Sequence, residues 1–544
     1  MAIRYQADSN TFILETKDCS YLMKVSRYGN LLHLYYGKRI PDSDVDFLLQ
    51  LQDRGFSPNP NEAGNDRTFS LDFLQQEFST DGKGDYRSPS IEVINGDGSA
   101  IFSGKVVDYR IYKGKYRIEG MPSLWAADSD TADTLEIRLE DRESLASVTL
   151  LYGVFEEKNI ITRSVRFENG GKELLNLNRL MSATVDYRDS EYDLIYFPGR
   201  HMMEREFERT PIRSGLHSIG SSRGTSSHQY NPFAIVCERD AGEDHGGCWG
   251  YSLVYSGNFL FEAEKDQFGQ LRINMGINPK HFSFEMKPGE AFWAPEAVLA
   301  YSDQGFSGLT HLYHDIYREN LCRSPYGKRP RPVLINSWEA AYFDFDEEKI
   351  LEIARASVDM GVDLFVLDDG WFGKRDDDNA GLGDWTVNRK KLKDGIEGLS
   401  EKIHEMGLQF GIWIEPEMVS EDSELYRAHP EWCLRAPGRP MTRGRNQLVL
   451  DLSREDVCGY LTGVLDALLS NARIEYLKWD MNRSISDVWS GLLPRERQGE
   501  AMHRYVLGLY RILEEITEKH PQVLFCGCSG GGGRYDPAMQ YDQP

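Results

Sequence analysis

Six short apolar runs between residues 333 and 526 each end in, or just before, a cluster of chemically active side chains. No other feature of the chain limits its fold so much. The runs are Val333 to Ser337, Leu364 to Leu367, Phe410 to Ile414, Leu448 to Leu452, Ile474 to Leu477 and Val523 to Cys526. Their clusters are Asn336-Ser337-Trp338-Glu339, Asp368-Asp369-Gly370-Trp371, Glu415-Pro416-Glu417, Asp451, Lys478-Trp479-Asp480 and Cys528-Ser529. Short β-branched and aromatic runs of this kind fit buried parallel strands. Helical patterns lie between most of them. The clearest spans Glu455 to Ala472, with Val457, Leu461, Leu465 and Leu469 on one face and Ser453 placed to cap it. Another runs from about Glu500 to Lys519. Sites assembled from many consecutive strand ends point to a (β/α)8 barrel with its chemistry at the C-terminal face. A doubly wound sheet would gather that chemistry at one switch point.

The first 320 or so residues have a different texture. Alternating runs such as Ser147 to Tyr152 and Ile160 to Phe167 are separated by turn signals, among them Asn95-Gly96 and Asn169-Gly170-Gly171. Many short strands punctuated this way indicate a large antiparallel sandwich. Three prolines between Ser324 and Pro332, with Arg323, Lys328, Arg329 and Arg331, mark a linker. The expected organisation is therefore an N-terminal β-sandwich domain over residues 1–325 and a barrel over 326–544. The chain stops with no room for a seventh or eighth strand, so the expected barrel is incomplete.

A net charge of −24 argues against nucleic acid or an anionic membrane surface as partner. Residues 1–8 lack the apolar core of a signal peptide, and no window approaches the length of a membrane span. Eight scattered cysteines without zinc-ribbon spacing fit reduced thiols in a cytoplasmic protein. No metal or cofactor is expected.

Among the clusters, Asp480 has Lys478 two residues away on the same side of a strand. A nearby ammonium keeps a carboxylate ionised, as a nucleophile requires, although a plain salt bridge fits the same pattern. Asp368 and Asp369 point apart and cannot be a symmetric acid/base pair. They suit neighbouring sugar hydroxyls, with Trp371 or Trp338 against the ring's apolar face, or simply a solvated turn. Glu415 and Glu417 are candidates for a general acid, or else braces for Arg445 and Lys478. The loop Cys528-Ser529-Gly530-Gly531-Gly532-Gly533-Arg534 lets backbone approach a ligand closely, but it lacks the Lys-Ser/Thr of a phosphate loop.

Taken together, these motifs resemble family-36 glycoside hydrolases, the bacterial-type α-galactosidases. The likeness rests on Asn336-Ser337-Trp338-Glu339-Ala340, Leu367-Asp368-Asp369-Gly370-Trp371, Gly383-Asp384-Trp385, Trp413-Ile414-Glu415-Pro416-Glu417, Arg445-Asn446-Gln447, Lys478-Trp479-Asp480-Met481-Asn482 and the glycine loop, in family order. It implies an N-terminal β-supersandwich, a (β/α)8 barrel and a C-terminal sandwich, commonly as homotetramers. It also implies retaining hydrolysis of terminal α-galactose from melibiose and raffinose. Asp480 would be the nucleophile, with Trp338, Asp368, Asp369, Arg445, Lys478, Cys528 and Gly531 around the sugar. Cys526 stands where the family usually has Glu. The resemblance places the acid/base Asp about six positions beyond Pro544, so these residues by themselves are expected to turn over melibiose negligibly. Galactosyl transfer, α-N-acetylgalactosaminidase activity and sugar binding without cleavage are the alternatives.

Overall fold

The computed structural model describes residues 2–41 and 45–544. The chain divides into two compact units. One comprises Met1–Ser222, His228–Leu321 and Asp536–Ala538; the other comprises Arg223–Ser227, Cys322–Tyr535 and Met539–Pro544. No helix among the described residues is long and apolar enough to cross a membrane.

The first unit is built on antiparallel sheets of four, six and ten strands among the described residues. Its centre is the strand Ala146–Phe155, buried at every position between Asp133–Glu140 and Ile160–Asn169. A strand buried on both faces must pair every polar group it carries into the core. Glu77 shows how: its carboxylate accepts from Tyr21 and Tyr152 hydroxyls, both at 2.7 Å, meets His33 Nδ1 at 2.8 Å and pairs with Arg163 at 2.9 Å. Both charges are fully buried, and such burial is tolerable only because every lone pair finds a donor.

The second unit carries a five-stranded parallel sheet. In order, its strands are β1 (Leu334–Asn336), β2 (Leu364–Leu367), β3 (Gln409–Ile414), β4 (Tyr476–Trp479) and β5 (Leu524–Gly527). Helices α1 (Glu347–Val358), α2 (Gly395–Glu405), α3 (Glu455–Asn471) and α4 (Ala501–Lys519) fall between them. Asp346 caps α1 by accepting from Lys349 N at 3.0 Å. The stripe Tyr505, Val506, Leu509, Ile512, Leu513 and Ile516 of α4 is buried, as its period requires. An N-terminal antiparallel domain followed by a partial barrel is thus the architecture.

Two expectations fail here. The run Leu448 to Leu452 is not a strand of the barrel, which holds five parallel strands rather than six. Leu448–Val449 instead pairs antiparallel with Met418–Val419, and Leu450 N bonds Glu417 O at 2.9 Å. With that backbone engaged by the turn after β3, β3 pairs directly with β4, Gly411 opposite Tyr476. Nor does Ser453 cap α3. Its hydroxyl turns back to Asp451, whose other oxygen accepts from Ser490, so the buried Asp451 anchors this loop.

Candidate active site

The C-terminal ends of β1, β2, β4 and β5 converge because parallel strands in register finish together. Asn336, at the end of β1, uses both ends of its amide. Its Nδ2 donates to Asp368 Oδ2 at 2.6 Å, and its Oδ1 accepts from Trp338 N at 2.8 Å. One side chain therefore aims the first carboxylate of β2 and starts the turn that presents Trp338. Lys478 Nζ reaches the same Asp368 oxygen at 2.8 Å. The direct ion partner of Lys478 is Asp368, not its neighbour Asp480.

Asp480 lies just past β4 and is buried. Trp413 Nε1 donates to its Oδ2 at 3.0 Å, while Met481 N at 2.9 Å and Gly530 N at 3.3 Å donate to its Oδ1. Gly530 and Gly531 sit at φ of +52° and +83°, the left-handed turn that aims the first of these amides at the carboxylate. Burial alone would raise the Asp480 pKa. The Lys478 ammonium, then the donors from Trp413, Asn482 and Gly530, outweigh it and hold the carboxyl below the usual aspartate value. Cys528 belongs to the same cluster: burial first, then the Asp480 charge, push its thiol up to about 12, so it remains protonated.

Glu415 shows the opposite balance on the same strand ends. It is fully buried, accepts from Asn482 N and Gln447 Nε2, and forms no ion pair among the described residues. Burial, then the Asp480 charge, raise its pKa to about 8. Gln447 Oε1 is buried without a hydrogen-bond partner among the described residues. A rotated amide would present that oxygen to the Glu415 proton. Glu417 is bound on every side, by Arg534 at 2.7 and 2.9 Å, Trp479 Nε1 at 2.8 Å and the Tyr505 hydroxyl at 2.6 Å. The brace expected between these glutamates and Arg445 or Lys478 is thus replaced by Arg534 on Glu417.

Asp369 is held by Arg375, whose Nε lies 3.0 Å and whose guanidinium NH2 lies 2.9 Å from its two oxygens. Arg445 stands with its guanidinium carbon 6.0 Å from the centre of the Trp338 ring. It reaches there through a tight turn closed by Gln447 N on Gly444 O, with Arg445 and Asn446 at φ of +52° and +58°. Asp536 and Asp542 are committed elsewhere, the first to Ser256 at 2.8 Å and the second to Arg323 at 2.6 Å.

Three partners of this site were not singled out from the chain alone. Trp413 stood inside a quoted motif, but only the register Trp413 opposite Lys478 reveals it as a neighbour of the β4 end. Gln447 likewise stood in a motif with no assigned task. Arg375 lies in a polar loop where nothing marks one basic residue above Lys374 beside it.

A buried carboxylate held ionised, a Lys–Asp pair and a half-buried indole, all on barrel strand ends, fit a carbohydrate-cleaving barrel enzyme, a glycoside hydrolase. The comparisons make this specific. Residues 29–287 match the glycosyl hydrolase family 36 N-terminal domain and residues 291–544 match melibiase. The α-galactosidase AgaA of Geobacillus stearothermophilus is 50% identical over all of this chain, which covers 74% of AgaA. The bifunctional α-galactosidase/sucrose kinase AgaSK of Mediterraneibacter gnavus is 47% identical over all of this chain, which covers 57% of that protein. The solved galactosidase domain of AgaSK superposes with a TM-score of 0.97 over 100% of this chain and 74% of that one. The AgaA crystal structure gives 0.96 over 98% of this chain and 74% of that one. AgaA variants are known in complex with stachyose and with raffinose. The chain belongs to glycoside hydrolase family 36 and is an α-galactosidase of that family.

Proposed function

We propose that the chain releases terminal α-D-galactose from oligosaccharides such as melibiose and raffinose by double displacement with retention. The observation that carries the reading is the held charge on Asp480, a nucleophile kept ionised by Lys478 and Trp413. In the first step an Asp480 oxygen bonds the anomeric carbon as the glycosidic bond breaks, and a proton goes to the leaving oxygen. In the second, water gives a proton to the group that acted as acid and attacks that carbon, and the galactosyl–Asp480 ester breaks to return the Asp480 carboxylate. Asp368, Asp369 and Lys478 suit neighbouring ring hydroxyls, Trp338 the apolar face of the sugar, and Arg445, Cys528 and Gly531 the remaining edge. The raffinose and stachyose bound by AgaA variants support this substrate class.

The proton donor is a separate matter. A retaining enzyme places its two carboxyl groups roughly 5 to 5.5 Å apart with the substrate between them. Glu417 is locked in an ion pair, and Glu415 is buried with both oxygens engaged. The family likeness supports an acid/base Asp in sequence beyond Pro544. Residues 1–544 alone are then expected to cleave melibiose at least about 10²-fold more slowly than a longer chain that supplies this Asp. A homotetramer of the full-length protein and a cytoplasmic location complete the proposal, the first supported by the family likeness and the second by cysteines scattered without paired spacing.

Mass spectrometry after exposure to a 2-fluoro-galactosyl donor with a good leaving group tests the reading. A covalent adduct on Asp480 is expected, because such a leaving group needs little protonation. Galactose binding without any adduct would instead make the protein a lectin-like binder.

A further inference from the structure

Two strands of the ten-stranded sheet, Tyr192–Pro198 and Tyr230–Glu238, lie antiparallel with Tyr192 opposite Glu238 and Pro198 opposite Tyr230. Such pairing places the residues after the first strand beside those before the second, at one end of the sheet. The chain leaving Pro198 turns at once. Arg200 N donates to Met203 O at 3.0 Å and Met203 N to Arg200 O at 2.8 Å, closing a turn around His201 and Met202, the latter at φ +66°. Gly199 N donates to Gln229 O at 3.1 Å, which ties the turn to the chain entering the second strand. Glycine is required there, because a Cβ at position 199 would stand 2.5 Å from Met203 O and 2.9 Å from Arg205 N.

This geometry gathers three ligand-bearing side chains. One donor atom from each of His201, Glu204 and His228 lies within 4.8 Å of the other two. Glu204 Oε1 is 3.8 Å from His228 Nε2, and the two imidazole rings stand at 77° with centroids 5.9 Å apart. Glu204 and His228 are half-buried, whereas His201 is exposed.

Zinc bonds imidazole nitrogen and carboxylate oxygen at about 2.0–2.2 Å, so tetrahedral ligand atoms stand about 3.3–3.6 Å apart. The observed pair is already close to that spacing. The widest pair has to close by little more than about 1 Å, within the reach of His201 side-chain torsions. Two imidazoles with one carboxylate suit a cation of borderline softness rather than calcium or magnesium, which prefer oxygen-only shells.

We propose that His201, Glu204 and His228 bind one zinc-type divalent cation, with water in the fourth position, and that the ion pins the 199–205 turn to the chain entering Tyr230–Glu238. The test is calorimetric titration of the metal-free 544-residue chain with zinc, and visible absorption with cobalt as a spectroscopic stand-in. One equivalent of zinc, a tetrahedral cobalt band and a raised Tm are expected. H201A, E204Q and H228A should each weaken zinc binding at least about tenfold while the metal-free circular dichroism stays unchanged. Absence of stoichiometric binding would overturn the proposal. So would unchanged affinity in the H201A/H228A double variant, which would assign the ion to other groups such as the thiols. Should a variant misfold, zinc protection of His201 and His228 from diethylpyrocarbonate in the native chain decides the question, and equal modification with and without metal overturns it. None of these readouts involves a galactoside, so the outcome is independent of the function proposed above.

Discussion

Trp413, in the third barrel strand, donates its indole N–H to Asp480, just past the fourth, at 3.0 Å. After the Lys478 ammonium, this bond does most to hold the Asp480 carboxyl below the usual aspartate value. A hydrogen bond to an ionised group contributes about 1.5–3 kcal/mol. Trp413→Phe preserves an apolar ring and deletes the donor, so glycosylation of Asp480 by an activated galactosyl donor should slow by about 10- to 150-fold. Stopped-flow release of the leaving group measures it. An unchanged rate would show that the indole does not support the nucleophile.

Lys478→Met removes the cation that Asp368 and Asp480 share. As the proposed nucleophile, Asp480 acts when ionised, so its rate is lost as pH falls through its folded pKa. The native value is depressed, and loss of the ammonium raises it, moving the acid limb upward. The variant should lose about 10²- to 10³-fold near neutrality and proportionally more at pH 5, read from kcat/KM against pH on an aryl galactoside.

Glu415 provides a stability test with the opposite sign. Its folded pKa of about 8 stands above its ordinary 4.5. Between these values the folded chain retains a proton that the unfolded chain has released, so this group makes stability fall as pH rises. The slope is at most about 1.4 kcal/mol per pH unit. Glu415→Gln cannot titrate, and its urea midpoint should change less between pH 5 and pH 8 than that of the native chain.

In the first unit, Glu77→Gln leaves Arg163 buried without a counter-charge. A loss of about 3–5 kcal/mol is expected in the unfolding transition of that unit, followed by near-ultraviolet circular dichroism in urea. Glu136→Gln, which weakens the exposed Arg110 pair, should change stability by less than about 1 kcal/mol.

Much of the barrel was legible because its signal is local. A strand buried on both faces must be apolar along its length, and where it leaves the sheet it can carry polar groups. Lys478-Trp479-Asp480 therefore announced a strand end without any knowledge of its neighbours. The helix α4 was equally readable, since a 3.6-residue stripe is a property of one segment. Leu448 to Leu452 misled because an apolar run specifies burial and not a pairing partner; Val419 took its backbone before β3 could. Ser453 misled for a related reason, as its hydroxyl had Asp451 two residues away as a nearer acceptor than the first turn of α3 had donors.

What the chain determined by itself was the place of its carboxylates, at strand ends, and the presence of a cation two residues from one of them. The tertiary structure completed the balance that sets their charge. Asp480 and Glu415 are chemically alike and both buried, yet one is held ionised and the other protonated at neutral pH. The difference lies first in the Lys478 ammonium beside Asp480, and then in donors that arrive from 67 positions upstream and 50 downstream, through strands that pair in space. Electrostatic neighbours act over a few ångströms, and that distance has no counterpart along the sequence.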